Sequence, residues 1–333
     1  MKKIKFVPDI VTGRLTEEDA KLYFSRFGLF ALAYTLINSA VQITAILVVM
    51  RFFPSLYYNY LFGRILPMVA MYAVAFPIAY GIIKPLPTVY PIDDKWSFGE
   101  LAGCVCVCIT IMTGGSYVSN IVVTFLSNLR GSFIENPLGT SIQSMPLWAT
   151  FLFVCVLAPI FEELFFRAFL CKKLLMTGEI YAIILPAAFF ALSHGNFYQV
   201  FYAFAFGCFF SFIYVRTGKI IYTIVFHMIV NFIGSFLTAI ILGHVDLSSI
   251  LRGEIATDTE SLIGLIVLIV YELIIYAAMI AGVVIIIKKM RGFRLHTGIL
   301  PPPEKKGFTC VMMNGGVAAA IAVLSFSLLG SVL

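Results

Sequence analysis

Residues 146–170 read P-L-W-A-T-F-L-F-V-C-V-L-A-P-I-F-E-E-L-F-F-R-A-F-L, and the only charges in that run are Glu162, Glu163 and Arg167. A stretch this long and apolar fits a helix crossing a hydrocarbon core of roughly 30 Å, which takes about 20 residues. Working outward, similar runs lie near 28–50, 65–83, 101–127, 180–195, 197–215, 220–242, 261–287 and 311–333. An unpaired backbone amide is costly in lipid and a helix pairs its own, so the expected fold is an all-α polytopic membrane protein with about eight or nine transmembrane helices.

Composition leads to the same place. The 333 residues are 61% hydrophobic and 12% charged, with a mean hydropathy of +0.99, which no water-soluble domain of this size could carry on its surface. The polar segments are short, and one membrane domain is expected, with 1–27 as a cytoplasmic segment and 28–145 as accessory helices. Residues 146–242 form the core, and 243–333 hold further helices with a basic cytoplasmic loop.

Lys and Arg prefer cytoplasmic loops. With the N-terminus inside, the inner segments hold Lys2, Lys3, Lys5, Arg14, Lys21 and Arg26, then Lys84, Lys95, Lys172, Lys173, Arg216 and Lys219, and finally Lys288, Lys289, Arg291, Arg294, Lys305 and Lys306. The outer segments hold only Arg51, Arg64, Arg130 and Arg252. The expected orientation is therefore N-terminus cytoplasmic; the expected location is a bacterial plasma membrane, which the protein crosses several times. The net charge of +6 reads as an orientation signal rather than a nucleic-acid surface.

Cys104, Cys106 and Cys108 invite a metal reading. On a helix, residues two apart point about 200° from each other, so three such thiols do not converge on one ion. They read as small packing residues.

Ionisable side chains at bilayer depth cost roughly 3 kcal/mol each, so each needs a partner or a purpose. The census is Glu162, Glu163, Arg167, His194, His227 and Glu272, with Asn120 and Asn231 as amides. Glu163 and Arg167, four apart, share a helical face and suit an ion pair. Glu162 lies about 100° from Glu163 and about 140° from Arg167, which leaves it as the spare acid and candidate base. A cytoplasmic-edge anchor together with Lys172 and Lys173 is the structural alternative for the triplet.

His194 closes the run F-F-A-L-S-H, and His227 with Asn231 share a face four residues apart in H-M-I-V-N. One buried histidine is more often structural than catalytic. Two of them with an Asn and a spare Glu on separate helices form a candidate active site. Counted from the cytoplasmic ends of their spans, Glu162 and His227 each lie about 12 Å deep and can meet, whereas His194 comes out near 21 Å.

The motifs Glu162-Glu163-x-x-x-Arg167, Phe190-x-x-x-His194 and His227-x-x-x-Asn231 resemble the three-part pattern of the CPBP family, the CAAX-protease and bacteriocin-processing intramembrane proteases related to type II CAAX prenyl endopeptidases. The resemblance covers roughly residues 146–242. It implies a helical bundle around an intramembrane catalytic cavity, and an endopeptidase acting on a membrane-embedded or lipidated peptide, prenylated CAAX-type or leader-type. By it, Glu162 and His194 activate water, His227 and Asn231 stabilise the oxyanion, Glu163 and Arg167 support them, and Phe190 packs. No cofactor is favoured; a zinc would take Glu162, His194 and His227, with no His-Glu-x-x-His pair to help, since His244 and His296 fall in loops.

Two rival readings stay open at this point. One is an ion-coupled transporter using Glu272, which otherwise reads as a buried acid bonded to a tyrosine such as Tyr271 or Tyr276, or packed in the bundle. The other is a non-catalytic scaffold or bacteriocin-immunity protein.

Overall fold

The computed structural model describes residues 6, 9, 12–245 and 259–332. Lys2, Lys3, Lys5 and Arg252 of the orientation argument lie outside the described residues. Nine apolar helices account for the runs read from sequence: α1 (Glu17–Phe52), α2 (Tyr60–Ile83), α3 (Phe98–Arg130), α4 (Leu147–Leu174), α5 (Glu179–Ser193), α6 (Phe197–Thr217), α7 (Ile220–Gly243), α8 (Ser261–Met290) and α9 (Gly315–Gly330). Seven are long and apolar enough to cross a membrane; α5 and α9 are shorter. No strand occurs among the described residues, only an isolated bridge between Gly178 and Thr297.

The chain is thus an all-helical, integral membrane protein. The outward faces of its long helices carry Ile121, Leu273 and Ile280, each more than half exposed, as lipid contact requires. The helix α1 starts well before residue 28, where the apolar run begins. Thr16 caps it by accepting from the Asp19 amide, and Glu17, Glu18 and Asp19 occupy its first turn, all favourable at a helix N-terminus.

Two compact units make up the chain. The first comprises Met1–Ile92, Leu164–Gly218 and Leu295–Leu333, and the second Asp93–Glu163 and Lys219–Arg294. The chain passes from one to the other within α4, between Glu163 and Leu164.

In the first unit, aromatic rings from α1, α2, α4 and α5 form the core. Phe165 lies 4.6 Å from Phe76 and 5.0 Å from Tyr34, and Phe30 lies 6.0 Å from Phe189, centroid to centroid. The helix α9 rests directly on α1, because a Cβ on Gly28 would fall 2.2 Å from the Gly316 carbonyl carbon. Glu179, buried at the start of α5, binds Arg216 at the end of α6 (2.8 Å) and the His296 amide (2.8 Å). The last segment of the chain is thereby tied to the same corner.

Lys173 is 3% exposed. Its amine donates to the carbonyls of Leu86 (2.7 Å) and Lys84 (3.3 Å) and to Thr88 Oγ1 (3.4 Å), and its own carbonyl accepts from the Tyr23 hydroxyl. It pins the segment after α2 to α4 and α1. Charge-assisted hydrogen bonds contribute more than neutral ones, and orphaning buried carbonyls adds a desolvation cost. Lys173→Met is therefore expected to lower stability by about 2–4 kcal/mol. Thermal unfolding in detergent measures this, and an unchanged midpoint would show that the amine does not hold the segment.

In the second unit, α3 opens with a capping box, Ser97 and Glu100 each accepting from the other's amide. The helices α3 and α8 run antiparallel in close contact, with Lys289 on Glu100 (3.2 Å) and the Thr110 hydroxyl donating to the Met279 carbonyl (2.8 Å). Against them lie α7 and the first half of α4, where Phe151 meets Phe236 at 5.4 Å.

Candidate active site

The local geometry begins with Pro159. Residues Thr150–Leu157 of α4 form a π-helix, in which each amide reaches back five residues; the Ala158 amide donates to the Phe153 carbonyl. The next donor in that series, for the Val154 carbonyl, would be residue 159. Proline has no N–H, so the Val154 oxygen is left without its helical partner. Asn231 fills the gap, its Nδ2 donating to Val154 O at 2.8 Å. One amide proton is spent there, and the amide's orientation is fixed by that network.

One turn before Asn231 on α7, His227 faces the same half of α4. Its Nδ1 lies 2.9 Å from Glu163 Oε1, a hydrogen bond between buried groups. Its Nε2 lies 3.6 Å from Glu162 Oε2. The imidazole thus stands between two neighbouring carboxylates, with Nδ1 occupied and Nε2 turned toward Glu162. Glu163 is fully buried, whereas the Glu162 side chain is 19% exposed. The depth argument that let Glu162 and His227 meet agrees with this distance. The sequence reading gave Glu163 to Arg167 and did not foresee its contact with His227.

From Leu164 to Cys171 the helix is π-helical. A further π segment, Phe232–Leu237, follows Asn231 directly. Such wide turns cluster at functional sites.

In the first unit, Arg167 is fully buried among aromatic rings. Its guanidinium carbon lies 5.3 Å from the centroid of Phe190, 5.7 Å from Phe210 and 5.9 Å from Phe166, within cation–π range of each. Phe190 also stands perpendicular to His194, centroids 4.8 Å apart. His194 caps the end of α5, and its Nδ1 is 2.7 Å from the Phe190 carbonyl oxygen. A carbonyl only accepts, so Nδ1 carries the proton and Nε2 of the neutral ring holds the lone pair. That nitrogen can take up a proton.

The corner beyond His194 is built for a reversal. Gly195 has φ +63°, a left-handed conformation that side chains disfavour. Asn196 then caps α6, accepting from the Gln199 amide and donating to the His194 carbonyl (2.9 Å).

Glu272 is half-buried and takes no hydrogen bond from a tyrosine. The Tyr271 hydroxyl donates instead to the Ile233 carbonyl (3.2 Å), and Tyr276 pairs with Tyr117 (2.5 Å). His244 and His296 lie outside the helices, as read from sequence.

A catalytic zinc takes three protein ligands and an open position. Among the described residues, no group of three or more His, Cys, Asp or Glu side chains is arranged to hold a metal ion. Glu162 and His227, two of the three side chains that a zinc would take, face each other at 3.6 Å.

Comparison with known proteins matches residues 144–233 to the family described as Type II CAAX prenyl endopeptidase Rce1-like. The match runs from just before α4 to just past Asn231 and contains all three motifs. No curated protein and no solved structure matches the chain. Residues 144–233 of this integral membrane protein are thus similar to the Rce1-like type II CAAX prenyl endopeptidases, a likeness that points to a membrane protease.

Proposed function

We propose that this chain is an intramembrane endopeptidase that hydrolyses a peptide bond of a membrane-associated substrate, with residues 146–242 as its catalytic core and its N-terminus cytoplasmic. Glu162 takes a proton from the attacking water; a share for His194 Nε2 in that step is what the family resemblance implies. The water oxygen bonds to the scissile carbonyl carbon, and the carbonyl oxygen becomes an oxyanion. The Asn231 amide proton that Val154 leaves unused donates to it, as does His227 Nε2 when the ring carries a proton there as well as the Nδ1–H held by Glu163. Collapse breaks the C–N bond, and the departing amine recovers the proton held by Glu162.

The observation that supports this reading best is the imidazole of His227 held by Glu163 and aimed at Glu162. It is an arrangement of costly groups that packing alone does not call for. Glu163 then acts through His227, fixing its ring as carboxylates fix catalytic histidines elsewhere.

The substrate class is either a prenylated CAAX-type tail or a leader-type peptide. The test is the purified chain in lipid, given one peptide with and without a prenyl group, each with and without a chelator. We expect hydrolysis that survives the chelator. Cleavage of the prenylated peptide alone assigns a CAAX-type substrate, and cleavage of both assigns leader-type processing. Failure to cleave either by folded protein overturns the proteolytic reading, and loss in chelator restored by zinc overturns its metal-free form.

A further inference from the structure

The polar groups that the proposed reaction leaves unused gather on one face of α3 and α8. The two helices run in a continuous antiparallel register, from Lys289 on Glu100 through Thr110 on Met279 to Tyr117 on Tyr276. Their backbones touch at Gly282, where a Cβ would fall 2.3 Å from the Cys106 carbonyl oxygen. Continuing the register sets Asn120, one turn beyond Tyr117, level with Glu272, one turn before Tyr276.

The face is open. Tyr117 is 49% and Tyr276 38% exposed, and Asn120 is exposed as well. The hydroxyl pair spends one proton on its mutual bond and keeps one. Asn120 and Glu272 make no hydrogen bond or ion pair among the described residues. Neither is near an end of its helix: Glu272 lies about 17 Å from Ser261 and about 27 Å from Met290 along the axis. Exposed Ile121, Ile269, Leu273 and Ile280 surround them, so hydrocarbon rather than water is the neighbouring medium.

A short carboxylate side chain at that depth cannot reach a headgroup, and lipid tails offer it nothing. A second copy of the same face would bring a second carboxyl against the first. The complementary occupant is a helix with a cation at its centre. We propose that the Tyr117, Asn120, Glu272 and Tyr276 face docks a membrane-spanning helix of a partner protein that carries a Lys or Arg at mid-depth. Glu272 receives the cation, and Asn120 and the tyrosine pair complete its hydrogen bonding.

The full chain in lipid nanodiscs, labelled for energy transfer, tests this with two transmembrane Leu/Ala peptides that differ only in a central Lys or Leu. The Lys peptide is expected to bind about tenfold more tightly, the range of an interhelical polar contact in lipid. Glu272→Leu removes that difference while peptide hydrolysis is unchanged. Since this variant places an apolar group toward lipid, a folding defect is not expected, and Asn120→Leu provides a second, weaker loss. Equal binding of the two peptides, or an unaltered preference in Glu272→Leu, overturns the proposal. So does energy transfer between two copies of the chain that Glu272→Leu abolishes, because the face would then serve self-association.

Discussion

Glu162→Gln is expected to lower the hydrolytic rate about 10²- to 10⁴-fold, the contribution of a positioned general base. Glutamine keeps the shape and polarity of the side chain but cannot accept the water's proton at neutral pH. Its folding cost is small, because the Glu162 side chain is partly exposed and His227 Nε2 stands beyond hydrogen-bonding distance at 3.6 Å. Glu163→Gln behaves differently, since Glu163 is fully buried and bonded to His227 at 2.9 Å. That change disturbs packing and ring orientation together. Measuring kcat beside the unfolding midpoint separates the two carboxylates: Glu162 moves the first and leaves the second. Hydrolysis within about tenfold of the unmodified chain in Glu162→Gln would remove it from the role of base.

The second large effect concerns Asn231. Asn231→Ala is expected to cost about 10²–10³ in kcat with little change in KM, as loss of one oxyanion donor does. The same amide also satisfies the carbonyl that Pro159 leaves bare at Val154, so a stability loss of about 1–3 kcal/mol accompanies the rate loss. Pro159→Ala separates these roles by returning an N–H to the position that faces Val154 O in the π-helical pattern. In the double variant, stability should recover and the rate should not. A rate that recovered along with stability would show that Asn231 serves the backbone alone.

The fold was legible in the sequence because apolar run length is a direct readout of membrane crossing. Nine runs correspond to nine helices, and the differences fall where a local group decides. Thr16 and its acidic neighbours carry α1 back to Glu17, and Gly195 ends α5 ahead of His194. The site was legible as a set of residue types but not as a set of contacts. The contact of Glu163 with His227 on another helix has no signature in the spacing of either motif. Pro159 marks irregular backbone ahead of the two glutamates, but a proline by itself does not say which carbonyl it strands or which side chain, 77 residues on, will answer it. Of the two settings expected for Glu272, the tyrosine bond does not form: Tyr271 precedes it and Tyr276 lies one turn on, yet both hydroxyls bond to groups on other helices.

The length of α5 has a consequence for the lipid. Fifteen residues span about 22 Å, some 8 Å short of a typical hydrocarbon core. A helix of that length ending in a satisfied turn creates a hydrophobic mismatch, and the bilayer answers by dimpling toward it. Thinning at the His194 end of α5 would shorten the way that water travels to the imidazole. The supply of the co-substrate for hydrolysis becomes a property of membrane thickness as well as of the polypeptide.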